Sequence, residues 1–287
     1  MQAYVKFVEH SGAIAVPLCW DWDEYTTRQL MSQLNGILIP GGDQDLISPK
    51  DELTTFWKKT KVVLDIAKDI NKSGIHFPIW AVCQGFQAIA IWEAPYYEVF
   101  GRNLFDAKNY QLTLNFVADQ SKTRLHHDLP KHLQKAVSSV KQTTNSKETG
   151  ILYDTHHDGI TPILFEKYDE LKQFCVIAHG SDRKGMEYVA AYEHRDYPIY
   201  CVQYHPEKAP FVDLDYLNIP KCEESKEIAY YYSNFFISEW KCNNNQFKDP
   251  KRMASIQFSS LWLLETKETS HNVYVMTSSE IKSKSAI

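Results

Sequence analysis

The chain has 287 residues, 44% of them hydrophobic and 13% aromatic, ample for a packed core and too apolar for a disordered polymer. Its 31 basic and 36 acidic residues leave a net charge of -5, which argues against a nucleic-acid protein with its basic stripe. No run approaches the roughly 18 apolar residues that a membrane span needs, and Lys6, Glu9 and His10 keep the first residues from forming a secretory h-region.

Six cysteines (Cys19, Cys83, Cys175, Cys201, Cys222, Cys242) are scattered without a C-x-x-C pair, and a chain of this size needs no disulfide framework. Cys175 and Cys201 lie in apolar runs and read as buried small hydrophobes. Asn71-Lys72-Ser73 is an N-glycosylation triplet of the kind that arises by chance, so it decides no compartment.

In chain order, residues 4–12 read as a short helix ended by Gly12, followed by a strand over 14–18. Residues 36–39 form an apolar strand that runs into the tight turn Pro40-Gly41-Gly42. Residues 54–71 carry Phe56, Val63, Ile66 and Ile70 at helical spacing, and Gly74 stops them. A buried strand over 78–82 leads through Cys83 into a helix over 86–92. This alternation predicts an α/β fold, a mostly parallel sheet flanked by helices. The second half turns to β, with strands at 174–179, 186–193 and 198–204. A long helix follows over 222–241, its aromatic face (Tyr231, Phe235, Trp240) suited to core packing. A last strand is expected over 272–276 and a disordered tail over 277–287. With no repeat or long linker, residues 1–276 are expected to form one domain.

In an open α/β sheet, ligands bind beyond the carboxyl ends of the strands. Both Pro40-Gly41-Gly42 and Cys83 fall there. Ala81-Val82-Cys83-Gln84-Gly85, between a strand and a helix, suits a sharp turn that pushes a nucleophile out of the sheet. Small residues are needed two before and two after it, and Ala81 and Gly85 meet that need. The following helix N-terminus favours a thiolate, and its free N–H groups suit an oxyanion. A thiol needs a base, and Gln203-Tyr204-His205-Pro206-Glu207 offers His205, with Glu207 two residues on to orient the ring. Against this stands the plain alternative of a surface turn with a chance His and Glu. Neither His126-His127 nor His156-His157 has a Cys or acidic partner at metal-ligand spacing, so no metal is expected.

Together these residues resemble the class I glutamine amidotransferase-like superfamily, with its G-x-C-x-G elbow and distal H-P-E, and within it the γ-glutamyl hydrolase family. The segment from Phe77 to Phe86, the block from Tyr197 to Pro210, the turn Leu38-Ile39-Pro40-Gly41-Gly42 and the helix Tyr4-Val5-Lys6-Phe7-Val8-Glu9 all carry the likeness. The resemblance implies a flavodoxin-like core with added β elements. It implies a cysteine-type omega peptidase acting on folylpoly-γ-glutamates, with Cys83 as nucleophile, His205 as base and acid, and Glu207 as orienter. It also implies His156, Gly41, Gly42 and Gln84 at the substrate. Its expectations for partners are a small γ-glutamyl substrate and no cofactor, nucleic acid or membrane, and it leaves a homodimer open. It implies a lysosomal, vacuolar or secreted address, against a cytoplasmic one if Met1 is the start.

Two departures stand out. Ala81 occupies the position of the first elbow glycine. The sequence also opens at the first helix, so the first core strand is expected to be missing. Two rival expectations stand beside the hydrolase: a non-catalytic relative kept as a binding or structural protein, and a glutaminase-type amidotransferase subunit. Arg102, Arg124 and Arg183 are candidates for the substrate carboxylates by charge alone.

Overall fold

The computed structural model describes residues 2–46, 52–94, 97–139, 141–142, 148–257, 262–265 and 272–275. The expected tail over 277–287 and Met276 lie outside them. The helices are α1 (Gln2–His10), α2 (Glu24–Met31), α3 (Thr55–Lys72), α4 (Gln84–Glu93), α5 (Lys131–Val137), α6 (Pro162–Lys167), α7 (Lys208–Phe211), α8 (Glu223–Trp240) and α9 (Pro250–Ile256). The strands are β1 (Ile37–Ile39), β2 (Ile79–Val82), β3 (Tyr110–Leu112), β4 (Asn115–Phe116), β5 (Lys141–Gln142), β6 (Glu148–Thr149), β7 (Leu152–Asp154), β8 (Phe174–Ser181), β9 (Glu187–His194), β10 (Ile199–Val202), β11 (Trp262–Glu265) and β12 (Asn272–Val275).

Six strands form the central sheet in the order β1-β2-β10-β9-β8-β4. β1, β2 and β10 are parallel, with Ile79 opposite both Ile37 and Ile199. From β10 outward the pairs are antiparallel. The sheet is therefore mixed: the parallel part is the expected α/β core, and the antiparallel part is the expected β addition.

Alternation along β2 and β10 divides the core into two layers. Ile79, Ala81, Ile199 and Cys201 face α3 and α4, where Trp57, Ile66, Phe86 and Ile89 are enclosed. Trp80, Val82, Tyr200 and Val202 face α1 and α8, where Phe7, Ile228, Tyr232 and Phe236 close the other side. Both faces are covered, which is why these strands read as continuous apolar runs. Each large side chain so buried contributes about 1.5–3 kcal/mol.

Asn71 ends α3 as a structural clip. Its amide nitrogen donates to the Ala67 and Phe77 carbonyls at 2.9 and 2.8 Å, and its oxygen accepts from the Phe77 N–H. The amide of the chance glycosylation triplet is thus already committed. Of the two cysteines expected inside, Cys201 is enclosed and Cys175 is only half-buried.

The expected strand over 14–18 does not form. A strand persists only through its ladder, and among the described residues no strand pairs with this segment. Pro17 has no N–H to give, and Ile14 is 50% exposed. β1 is consequently the edge of the sheet.

Candidate active site

β2 ends at Val82, and Cys83 follows with φ 51° and ψ -106°, a conformation that L residues rarely adopt. Such a residue costs about 1–3 kcal/mol and persists only where its surroundings hold it. Here the Cys83 N–H donates to Val202 O at 2.9 Å, tying it to β10, and its carbonyl accepts from the Gln87 N–H at 3.0 Å, opening α4. Gly85 is dictated by the same turn: a Cβ there would collide with Ile39 O. Ala81 is fully buried opposite Ile39 and Cys201, and its methyl is accommodated without undoing the elbow.

β10 delivers the second group. Beyond Val202 the chain leaves the ladder, and the His205 N–H donates to Tyr153 O at 2.8 Å. The His205 ring places Nδ1 2.9 Å from Glu207 Oε1. A carboxylate can only accept, so Nδ1 carries the proton, and Nε2 is the nitrogen turned away from Glu207. Cys83 and His205 are 4% and 5% exposed and Glu207 1%, so their charges act on one another in a poorly screened interior. Burial alone lowers the His205 pKa, yet the Glu207 carboxylate and the Cys83 sulfur outweigh it and hold the imidazolium to about 10. Burial pushes Glu207 up, and the charge and hydrogen bond of His205 bring it below the ordinary carboxylate value.

α1 adds a group that the sequence did not mark as functional. The Tyr4 hydroxyl accepts from the Gly41 N–H at 2.8 Å and lies 3.2 Å from His205 Nδ1. Burial, then the charges of Glu207 and Cys83, raise its pKa well above the usual value, so the phenol stays neutral. The Pro40-Gly41-Gly42 turn lies over the elbow. A Cβ on Gly41 would come within 2.9 Å of His205 Cε1 and 3.0 Å of Cys83 Cβ, and one on Gly42 within 2.8 Å of Gln84 Oε1. Gln84 straps this turn down: its side-chain nitrogen donates to Gln44 O at 2.7 Å and its oxygen accepts from the Gln44 N–H at 3.2 Å.

His156 is buried one strand away, beyond β7. Its Nδ1 donates to Asp158 O at 2.8 Å, and its Nε2 faces Asp154 Oδ2 at 3.2 Å. Asp154 also accepts from the Tyr188 hydroxyl at 2.7 Å. Burial opposes the Asp154 carboxylate, but His156 first and more distant His205 hold its pKa down. Nδ1 is thus committed, whereas Nε2, although this near Asp154, is buried without a hydrogen bond.

The other candidates are occupied elsewhere. Arg124 donates to the carbonyls of His194 and Tyr197 and lies over the Tyr200 ring. Arg183 donates to Asp106, Lys108 and Asn109. Arg102 is exposed. His126 is enclosed, burial lowers its pKa to about 3, and its two nitrogens meet Gln120 and the Tyr232 hydroxyl. Among the described residues no cluster of His, Cys, Asp and Glu could hold a metal, and no helix is long and apolar enough to cross a membrane.

The peptidase C26 family pattern matches residues 1–207. γ-Glutamyl hydrolase B of Dictyostelium discoideum is 32% identical over 257 residues, 87% of this chain and 68% of that protein. The γ-glutamyl hydrolase of Rattus norvegicus is 29% identical, covering 86% and 73%, and that of Homo sapiens is 28% identical, covering 91% and 77%. A solved GMP synthase-like protein from Thermoplasma acidophilum superposes with a TM-score of 0.47 at 17% identity, over 83% of this chain and 89% of that one. The elbow cysteine and its distal histidine thus stand in a chain that belongs to the peptidase C26 family, as a cysteine-type hydrolase related to the γ-glutamyl hydrolases.

Proposed function

We propose that the protein hydrolyses γ-glutamyl amide bonds, its substrates being folylpoly-γ-glutamates, through a thioester on Cys83. The observation that carries this reading is the strained Cys83 at the end of β2 beside the 2.9 Å His205–Glu207 pair at the end of β10. The γ-glutamyl bond is supported by the three relatives described above, all of them γ-glutamyl hydrolases.

In the first half-reaction the Cys83 thiolate attacks the γ-carbonyl carbon, and the carbonyl π electrons move to oxygen. The N–H groups of Gly42 and of Gln84, at the start of α4, receive that oxyanion, while the Gly41 N–H is held by Tyr4. As the tetrahedral species collapses, the C–N bond breaks and His205 Nε2 gives its proton to the departing amine. In the second half, Nε2 takes a proton from water, the hydroxide attacks the thioester, and the γ-carboxylate leaves Cys83. Glu207 keeps the ring oriented throughout and favours the imidazolium whenever Nε2 holds its proton. His156, whose buried Nε2 has no hydrogen-bond partner within the protein, keeps its expected role as a substrate-binding residue.

The test is hydrolysis of pteroyl-poly-γ-glutamate by the parent and by Cys83→Ala. We expect glutamate release by the parent and a loss of at least about a thousandfold in the variant. Equal rates in the two proteins would overturn the reading. Release of ammonia from glutamine with no cleavage of the γ-glutamyl chain would replace it with a glutaminase.

A further inference from the structure

The leaving group of the proposed reaction carries a charge that no residue named so far receives. In a γ-glutamyl chain, the nitrogen that takes the His205 proton is bonded directly to the α-carbon of the departing glutamate. That carbon bears a carboxylate, so every productive complex brings an anion close to His205. The buried groups there oppose it. Glu207 and Asp154 are 1% and 0% exposed, and although burial disfavours the charge, both are held as carboxylates, Glu207 first by His205 and Asp154 first by His156. Like charges repel in a poorly screened interior, so the leaving-group side requires a cation.

Most cations of the neighbourhood are occupied or turned away. Arg124 and Arg183 are engaged as described above. Lys221, beyond α7, holds Asp213 and Asp215 at 2.7 and 3.1 Å. Lys6 follows Tyr4 by two residues, about 200° round α1, and is exposed. Arg102 is exposed, and the N–H of its neighbour Asn103 donates to the Asp158 carboxylate, on the His156 side of the site. Lys208 differs from all of these. It opens α7 directly after Glu207, and its N–H donates to the His205 carbonyl at 3.3 Å, which fixes its main chain against the base. Its side chain is half-buried, yet among the described residues its ammonium has no hydrogen bond and no ion pair, the Glu207 carboxylate being paired with His205 instead. The ammonium is nonetheless near: burial raises the Glu207 pKa, and His205, then Lys208, bring it down. A half-buried cation beside the base, with no anion of its own, matches a ligand that brings one.

We propose that Lys208 is a specificity-determining residue that binds the α-carboxylate of the departing glutamate. This rests on the hydrolase reading above and deepens it at the leaving-group side of the site. A lysine suits the task as a flexible point charge with three donors, able to follow the carboxylate as the C–N bond breaks and the amine moves off. A charge-assisted hydrogen bond of this kind, partly shielded from water, is worth about tenfold or more in binding. The protein would accordingly prefer leaving amines that carry an α-carboxylate.

The test uses the whole protein and two substrates: pteroyl-γ-diglutamate, whose leaving group is glutamate, and its analogue ending in 4-aminobutyrate, which is glutamate without the α-carboxylate. Steady-state kinetics on the parent should give a preference for the diglutamate of at least about tenfold in kcat/KM, carried mostly by KM and weakened by added salt. In Lys208→Gln the ratio of the two kcat/KM values should fall toward one. Lys208→Arg should keep most of it, with the Tm of both variants near that of the parent. A parent with no preference would overturn the proposal. So would a Lys208→Gln variant that keeps the full preference, even at a lower rate on both substrates, the pattern expected if Lys208 acted only through Glu207. Cleavage of neither substrate by the parent would remove the hydrolase reading itself, and this assignment with it.

Discussion

Cys83 spends conformational energy that no other residue of its element spends. Its positive φ points the thiol out of the sheet, and the ladder bond to Val202 and the helix bond to Gln87 hold it there. The charge of His205 is favoured by Glu207, which gives a direct prediction for the proposed base. Glu207→Gln removes the main group that raises the His205 pKa, so the alkaline limit of the activity profile should move down from near 10 toward the ordinary histidine range of about 6.5. We expect kcat to fall about 10- to 1000-fold with little change in KM, since Glu207 does not touch substrate. An unmoved alkaline limit would show that Glu207 does not set the charge of His205. That Cys83, His205 and Glu207 come together was legible because each sits in a short motif at the end of a readable strand. The role of Tyr4 was not legible. Its partners Gly41 and His205 lie 37 and 201 residues away, and no local pattern encodes a contact at that distance.

At the scale of elements, the turn over the elbow is fixed by contacts between segments remote in sequence. Gly85→Ala places a methyl against Ile39 O, and since both partners are backbone, either α4 or β1 must shift. Overpacking of this kind costs about 1–3 kcal/mol, and we expect a lower Tm together with a lower kcat because the elbow itself moves. A variant with unchanged Tm and rate would show that α4 does not press on β1 as described. Tyr4→Phe leaves the Gly41 N–H without its acceptor while keeping the ring packed. We predict about a tenfold loss in kcat with Tm nearly unchanged, to be read by steady-state kinetics beside thermal unfolding. The long helices and the β1, β2 and β10 strands were legible from periodicity. The strand over 14–18 was misread because alternation marks an amphipathic extended chain, and whether it joins a ladder depends on its neighbour. The two- and three-residue strands between 110 and 154 are too short to carry a period of their own.

For the whole molecule, the buried His205–Glu207 pair ties stability to pH. The folded pKa of His205 lies above its unfolded value of about 6.5, so its contribution is complete below that and is lost as pH rises through about 10. The folded pKa of Glu207 lies below its ordinary value of 4.5, so its contribution is present above that and is lost as pH falls through the depressed value. Tm should therefore hold through neutral pH and fall on both flanks. In a Glu207→Gln/His205→Gln double variant the two flanks should flatten, and unaltered flanks would assign them to other groups. The α/β architecture was legible in the sequence, as were the parallel core and the added β elements. The strand order was not legible, because its ladders join segments remote in sequence, as β2 and β10 do.

The central claim, that Cys83 carries the acyl group, is tested most directly by trapping. The protein would be mixed with a γ-glutamyl anilide, quenched in acid within the first turnovers, digested, and the peptides weighed. We predict a γ-glutamyl mass increment on the peptide containing Cys83, absent from Cys83→Ala and sensitive to hydroxylamine as a thioester is. Turnover with no increment on Cys83, or an increment on another cysteine that survives in Cys83→Ala, would contradict it.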